Sequence, residues 1–271
     1  MSDFRVEARV KRVEPTRQPI SGHISGGRFE LPPEGVYFEG AHLEDVDFSK
    51  LKMEWFGASG TTFERCDFGR SVISGSLGVV PGSVYRDCAF DRADLRNADP
   101  NGGRFERCSF DHARLDRWRS WSAEFIDCHF TGRLHDVVFE GIERTLPVPP
   151  KWPERFKEAM AREPTPNEFR GNDFREADLG TVEFIGGIDL DAQVWPDDPD
   201  LVRLDIRPAT IDAVERASVR LDPADRARIM DVLRWLRARY RGQDVMLWKR
   251  QPRGVVTRYA DLLRDVTTDE S

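Results

Sequence analysis

Residues 103–132 read GRFERCSFDHARLDRWRSWSAEFIDCHFTG and divide into fives: GRFER, CSFDH, ARLDR, WRSWS, AEFID, CHFTG. The third residue of each unit is Phe105, Phe110, Leu115, Ser120, Phe125 and Phe130. Two positions earlier most units carry a small residue, among them Cys108, Ala113, Ala123 and Cys128. A helix repeats its apolar face about every 3.6 residues and a strand every 2, so a period of five belongs to neither. A short unit that cannot bury its own apolar side chains, and stacks on its neighbours to do so, accounts for the period.

The unit recurs outside this stretch, for example in Ala93-Asp94-Leu95-Arg96-Asn97 and Ala177-Asp178-Leu179. In it the chain resembles the pentapeptide-repeat proteins, over residues 36–191. The resemblance implies a mainly β fold, a right-handed quadrilateral β-helix. Each pentapeptide makes one face and four make a coil, with the central residue and the small residue two before it pointing inward. It implies no particular activity, because a fold does not fix a function.

Laid out on four faces, the centres form columns. Face one has Phe38, Ala58, the Val79 region, Pro100, Ser120, Phe139 and Phe184; face two has Leu43, Phe63, Tyr85, Phe105, Phe125 and Phe169. Face three has Phe48, Phe68, Phe90, Phe110, Phe130 and Phe174; face four has Met53, Ile73, Leu95, Leu115, Leu134 and Leu179. This is about six coils, a rod of roughly 30 Å at the strand spacing. The count closes only if residues 142–166 are an insertion, a Pro-rich arm with a short helix near Pro153–Arg162 that covers face one or projects from it.

The chain then divides into a strand and cap over 1–35, the β-helix over 36–191, and a connector with a C-terminal helical region over 192–271. Phe4, Val6, Ala8 and Val10 alternate with charged residues as in a strand. Ser21–Gly35 is expected to cover the open edge of the first coil. At the other end, Ala209–Arg220, Pro223–Arg241 and Val255–Val266 read as helices. Asp222 is placed to cap the second, Pro223 to start it and Gly242 to end it. In gyrase-protecting members of the family a C-terminal module mediates dimerisation, which makes a homodimer through this region an expectation of the resemblance.

Cys66, Cys88, Cys108 and Cys128 each precede an aromatic centre by two, so the thiols are expected to stack inside the rod about 5 Å apart. Paired C-x-x-C spacings suited to zinc are absent, and a disulfide is disfavoured in a reducing compartment. The reading is a column of small buried hydrophobes. The five histidines are scattered, and no phosphate-binding loop, nucleophile elbow or H-E-x-x-H is present. No enzyme activity, cofactor or metal is expected.

The net charge of −7 does not suit a general nucleic-acid binder. The N-terminus lacks a signal peptide's apolar core and no run spans a membrane, so a cytoplasmic protein is expected. Arg greatly outnumbers Lys, a bias of GC-rich bacterial genomes. The expected role is a non-catalytic scaffold that binds a protein partner. Face one is the irregular face, with Pro, Gly and Trp among its residues. The contact is therefore placed there and on the arm, at Trp55, Phe56, Trp118, Arg119, Trp121 and Trp152; Trp and Arg are enriched in interface hot spots. The opposing reading packs these tryptophans under the arm. Arg226, Arg234, Arg237 and Arg241 share one sector of the second C-terminal helix, as a solvated basic face or a contact for an acidic partner.

The resemblance also implies an alternative. Quinolone-resistance members imitate duplex DNA with an acidic rod that occupies DNA gyrase. Mimicry needs long runs of uncompensated carboxylates. Here Asp45, Arg65, Asp87, Arg107 and Asp127 alternate in sign up face two, and residues 36–141 hold 18 acids against 13 bases. That excess is mild for a single-sign field.

Overall fold

The computed structural model describes residues 18–32, 35–79, 82–121, 123–141, 166–249 and 259–262. Parallel ladders join each coil to the next at offsets of about one coil. Up face two the pairs are Leu43 with Phe63, Phe63 with Tyr85, Tyr85 with Phe105, Phe105 with Phe125 and Phe125 with Phe169. The last step jumps the insertion, as the motif match requires. Face three is held by single bridges and short pairs, including Phe110 with Phe130.

The core is two aromatic columns at right angles. Phe48, Phe68, Phe90, Phe110, Phe130, Phe174 and Trp195 stack face to face at 4.7 to 5.2 Å. Phe63, Tyr85, Phe105 and Phe125 form the second stack, and its rings meet the first edge-on. The strand spacing sets the ring separation, and it falls within the range favourable for offset stacking. Met53, Ile73, Leu95, Leu115 and Leu134 fill face four behind them, all at most 1% exposed.

The corners are made by the residue two after each centre. Eleven such residues other than glycine have positive φ, among them Asp45, Lys50, Arg65, Arg70 and Arg92. A left-handed conformation costs a non-glycine residue about 1–2 kcal/mol. Most corner amides offset this by donating to the next coil, as Arg65 does to the Arg86 carbonyl at 2.9 Å and Asp87 to the Glu106 carbonyl at 2.9 Å.

The cysteines occupy the inward column as expected, all buried free thiols. Each also has a polar task. Cys66, Cys88, Cys108 and Cys128 donate Sγ–H to the carbonyls of Leu43, Phe63, Tyr85 and Phe105 at 3.3 to 3.6 Å. Asn172 continues the column by donating to the Phe125 carbonyl at 2.9 Å. Burial pushes the Cys108 thiol well above its ordinary pKa, which keeps it a donor.

Both ends of the rod extend past the repeat pattern. Ile20–Ser25 pairs in parallel with Val36–Glu44, and Phe29 lies 4.8 Å from the Phe48 ring, so the Gly/Ser/Pro-rich segment covers the first coil by adding to it. Residues 4–10 and the 142–165 arm with Trp152 lie outside the described residues. At the far end the Asp173–Val194 bridge and the Trp195 stack carry the rod half a coil beyond the expected limit at 191.

The C-terminal region is not purely helical. Leu201–Asp205 pairs antiparallel with Val245–Lys249. Between them lie helix α1 (Pro208–Ala217) and helix α2 (Pro223–Arg239). Asp222 accepts from the Ala224 and Asp225 amides at 3.0 Å, Pro223 opens α2, and Gly242 follows it at φ 80°. Of the third expected helix, residues 259–262 are helical; the rest is outside the described residues. Ile211, Val214, Ile229, Leu233 and Leu236 bury against Val138 and Ile185 of the rod. Gln243 bonds the Gly187 amide and the Ile188 carbonyl at 2.9 Å, and Arg239 pairs with Glu183 at 2.6 Å. The module's apolar side thus faces its own rod. A homodimer through it would have to use the outer surface, where Val219 and Trp235 are exposed.

Candidate interaction surface

Faces four and one differ from the other two. Their strands run continuously round the corner, as in Lys52–Ser59, Val72–Val79, Gly132–Glu140 and Ala177–Ile185. Register shifts interrupt their ladders at Met53/Phe56, Gly57/Ser59, Val72/Ser74 and Leu134/His135. Bulges of this kind re-aim side chains and cluster at sites of function. The centre of the irregular unit near Val79 is Leu77, fully buried.

The row two before each face-one centre explains two of the expected contact residues. It runs Val36, Phe56, Gly75, Ala98, Trp118, Val137 and Val182. Phe56 and Trp118 are each 2% exposed and belong to the core, so neither can touch a partner. Bulky rings fit there because small residues intervene: Gly75 pairs with Phe56, and a Cβ on Gly75 would lie 2.0 Å from the Phe56 carbonyl oxygen. Ala98 is the residue before Trp118 in the same row. No register slip occurs at Trp118, since Arg119 and Ser120 pair directly with Val138 and Phe139.

Trp118 also mends a break. The strand Asp94–Asp99 joins the next coil only through the Asp94–Arg114 bridge among the described residues. The Leu95 carbonyl accepts instead from the Trp118 indole Nε1 at 2.8 Å. Trp118→Phe keeps the ring and removes that donor. It is expected to cost about 1–3 kcal/mol, the penalty for a buried carbonyl losing its partner. Urea unfolding measures it; a variant as stable as the parent would mean the carbonyl has another donor.

The remaining expected residues stay at the surface but do not converge. Trp55 is 37% exposed, in the second coil, whereas Arg119 and Trp121 belong to the fifth, about 14 Å further along the axis. Arg119 donates to the Trp118 and Asp136 carbonyls and to the Asp136 carboxylate at 2.6 to 2.8 Å. The Trp121 carbonyl accepts from Asn167 Nδ2 at 3.2 Å. The basic stripe on α2 is largely compensated. Arg234 pairs with Asp231 at 2.7 Å, and Arg237 with Asp212 and Glu215 of α1 at 2.7 and 2.6 Å; Arg226 and Arg241 are exposed.

Face two shows the expected sign alternation as real pairs. Arg65 reaches Asp45 at 2.9 Å, Arg107 reaches Asp87 at 2.8 Å and Arg170 approaches Asp127 at 3.6 Å. Arg104 bonds Glu124 and Glu168 at 2.7 and 2.8 Å, and Arg86 bonds Glu106 at 2.8 Å. The Arg107 hydrogen bond holds the Asp87 carboxyl below its ordinary range, and the Arg104 hydrogen bond does the same for Glu168.

Five residues per face, left-handed corners, and an inward centre with a small inward residue two before it define one architecture. The chain folds as a quadrilateral β-helix of five-residue units. Solved structures like it include a trypsin-treated variant of QnrB1, a plasmid-mediated fluoroquinolone resistance protein. It is 13% identical, with a TM-score of 0.39, covering 65% of this chain and 81% of that one. HetL, a pentapeptide-repeat protein involved in heterocyst differentiation regulation in Nostoc sp. strain PCC 7120, is 13% identical. Its TM-score is 0.22, and the match covers 65% and 79% of the two chains. No protein-family model and no curated relative matches the sequence. On this rod, no group of three or more His, Cys, Asp or Glu among the described residues could hold a metal ion. No helix among them is long and apolar enough to cross a membrane.

Proposed function

We propose that the protein is a non-catalytic scaffold that binds a protein partner on its bulged side, faces four and one. The observation that carries this reading is the asymmetry of the rod. Faces two and three are regular, and face two is charge-compensated; the other two carry the register shifts and the exposed Trp55. A stiff surface of this kind loses little entropy on binding. Trp55, Arg119 and Trp121 are the contact residues this reading keeps. A homodimer through the C-terminal module belongs to the same proposal.

The test is a quantitative pull-down from the native host, comparing the parent with Trp55→Ala/Trp121→Ala. The double variant is expected to lose at least one specific partner while keeping its melting temperature. An unchanged partner set would remove the site. Gyrase mimicry is disfavoured by the paired carboxylates of face two. Micromolar protein is accordingly expected neither to inhibit gyrase supercoiling nor to protect gyrase from a quinolone. Either effect would restore that reading.

A further inference from the structure

Neighbouring corners of the rod treat charge in opposite ways. After face two the corner column alternates Asp45, Arg65, Asp87, Arg107, Asp127. After face three it reads Lys50, Arg70, Arg92 and His112, all exposed and all at φ between 52° and 60°. Their amides confirm the stacking: Lys50 donates to the Gly69 carbonyl, Arg70 to Asp91 and Arg92 to Asp111, at 2.7 to 2.9 Å. Like charges repeated at the strand spacing of about 5 Å repel one another, and the adjacent corner avoids this by alternation. This one does not.

The column borders face four, which is basic as well. From the corner after face three to the corner after face four, residues 50–55, 70–75, 92–97, 112–117 and 132–136 hold eight Lys or Arg and four Asp or Glu, in a chain of net charge −7. The four acids are used locally in part. Glu54 pairs with Lys52 at 2.7 Å, Asp94 with Arg96 and Arg114 at 2.7 and 3.0 Å, and Asp136 with Arg119 at 2.6 Å. Among the described residues Lys50, Arg70, Arg92 and Arg117 make no ion pair.

We infer that this strip is a docking surface for an extended acidic peptide segment of the partner. The inference rests on the scaffold reading and names the partner's chemistry. The strip is straight and spans about 19 Å over five coils, the reach of about six extended residues. Arginine forks favour carboxylates and phosphates alike. Two features favour the peptide over a nucleic-acid strand. The strip is one face wide. It offers one tryptophan, Trp55, rather than successive stacking platforms.

The probes are a fluorescein-labelled peptide of about ten glutamates and a labelled oligothymidylate of similar length, both read by fluorescence polarisation on the full chain at low and moderate salt. The peptide is expected to bind the parent and to weaken about tenfold or more in Lys50→Glu/Arg70→Glu/Arg92→Glu and as salt rises. The corresponding Gln triple variant, with its melting temperature, substitutes if charge reversal impairs folding. Absence of peptide binding, or binding unchanged in both triples, overturns the acidic-peptide inference; the Trp55/Trp121 pull-down then decides the scaffold reading independently. Tighter binding of the oligothymidylate than of the peptide also overturns it, in favour of a nucleic-acid surface.

Discussion

Phe125→Ala is expected to lower the unfolding free energy by about 3–5 kcal/mol. Phe125 is where the two aromatic columns meet, and its strand pairs with that of Phe169. Its ring stacks on Phe105 at 5.0 Å and 9°, and meets Phe130, Phe139 and Phe169 at 5.8, 5.4 and 6.0 Å. The surrounding strands are fixed at the ladder spacing and cannot collapse inward, so the cavity stays open and the cost falls at the high end for a large-to-small change. A solenoid's stability is also a chain of nearest-neighbour terms. Weakening one central interface should therefore separate the unfolding of the two halves, visible as a broadened or two-step urea transition followed by circular dichroism. A cost below about 1 kcal/mol, with one sharp transition, would show that the coils repack round the gap.

Gly78→Ala is expected to cost on the order of 3 kcal/mol, the upper range for overpacking a well-packed site. The Cβ added there would lie 2.3 to 2.5 Å from the Gly102 carbon and oxygen and the Gly103 nitrogen. These are backbone atoms of the adjoining coil, and no side chain can swing aside to relieve them. Gly180→Ala is the matched control: it too lies in a strand that runs from face four to face one, but its nearest neighbour is the Leu134 carbonyl oxygen at 3.6 Å, ordinary contact. Thermal melts of the two variants should differ by many degrees. Equal melting points would mean that the two coils are not held this closely.

The period of five carried most of the architecture because each face is decided within five residues. The centres on faces two to four are buried where the columns put them, and the pairs on either side of the insertion match as Phe125 with Phe169 and Phe130 with Phe174. What was not legible depends on residues a coil away. Trp118 stood at an inward position in the register, yet its size argued for the surface; the open Leu95 carbonyl a coil away reverses that, and it is not local information. Phe56 likewise needs Gly75. The Leu201–Asp205 and Val245–Lys249 pair was missed because its two short strands are separated by two helices and neither alternates clearly. The basic corner was visible in principle. Lys50, Arg70 and Arg92 each stand two after a face-three centre, but what makes that position an outward corner is the positive φ the backbone adopts there.

The left-handed turn constrains the backbone, and none of the eleven non-glycine residues that adopt it is β-branched. Beyond that, the turn asks little of the side chain: Asp, Lys, Arg and His all occupy it. Surface chemistry is thereby uncoupled from folding, one letter per coil along each edge. Changing the script on an edge alters what the rod attracts while the aromatic columns inside remain the same. Divergence among such rods should therefore concentrate at the corners, and relatives that share no partner can share every wall.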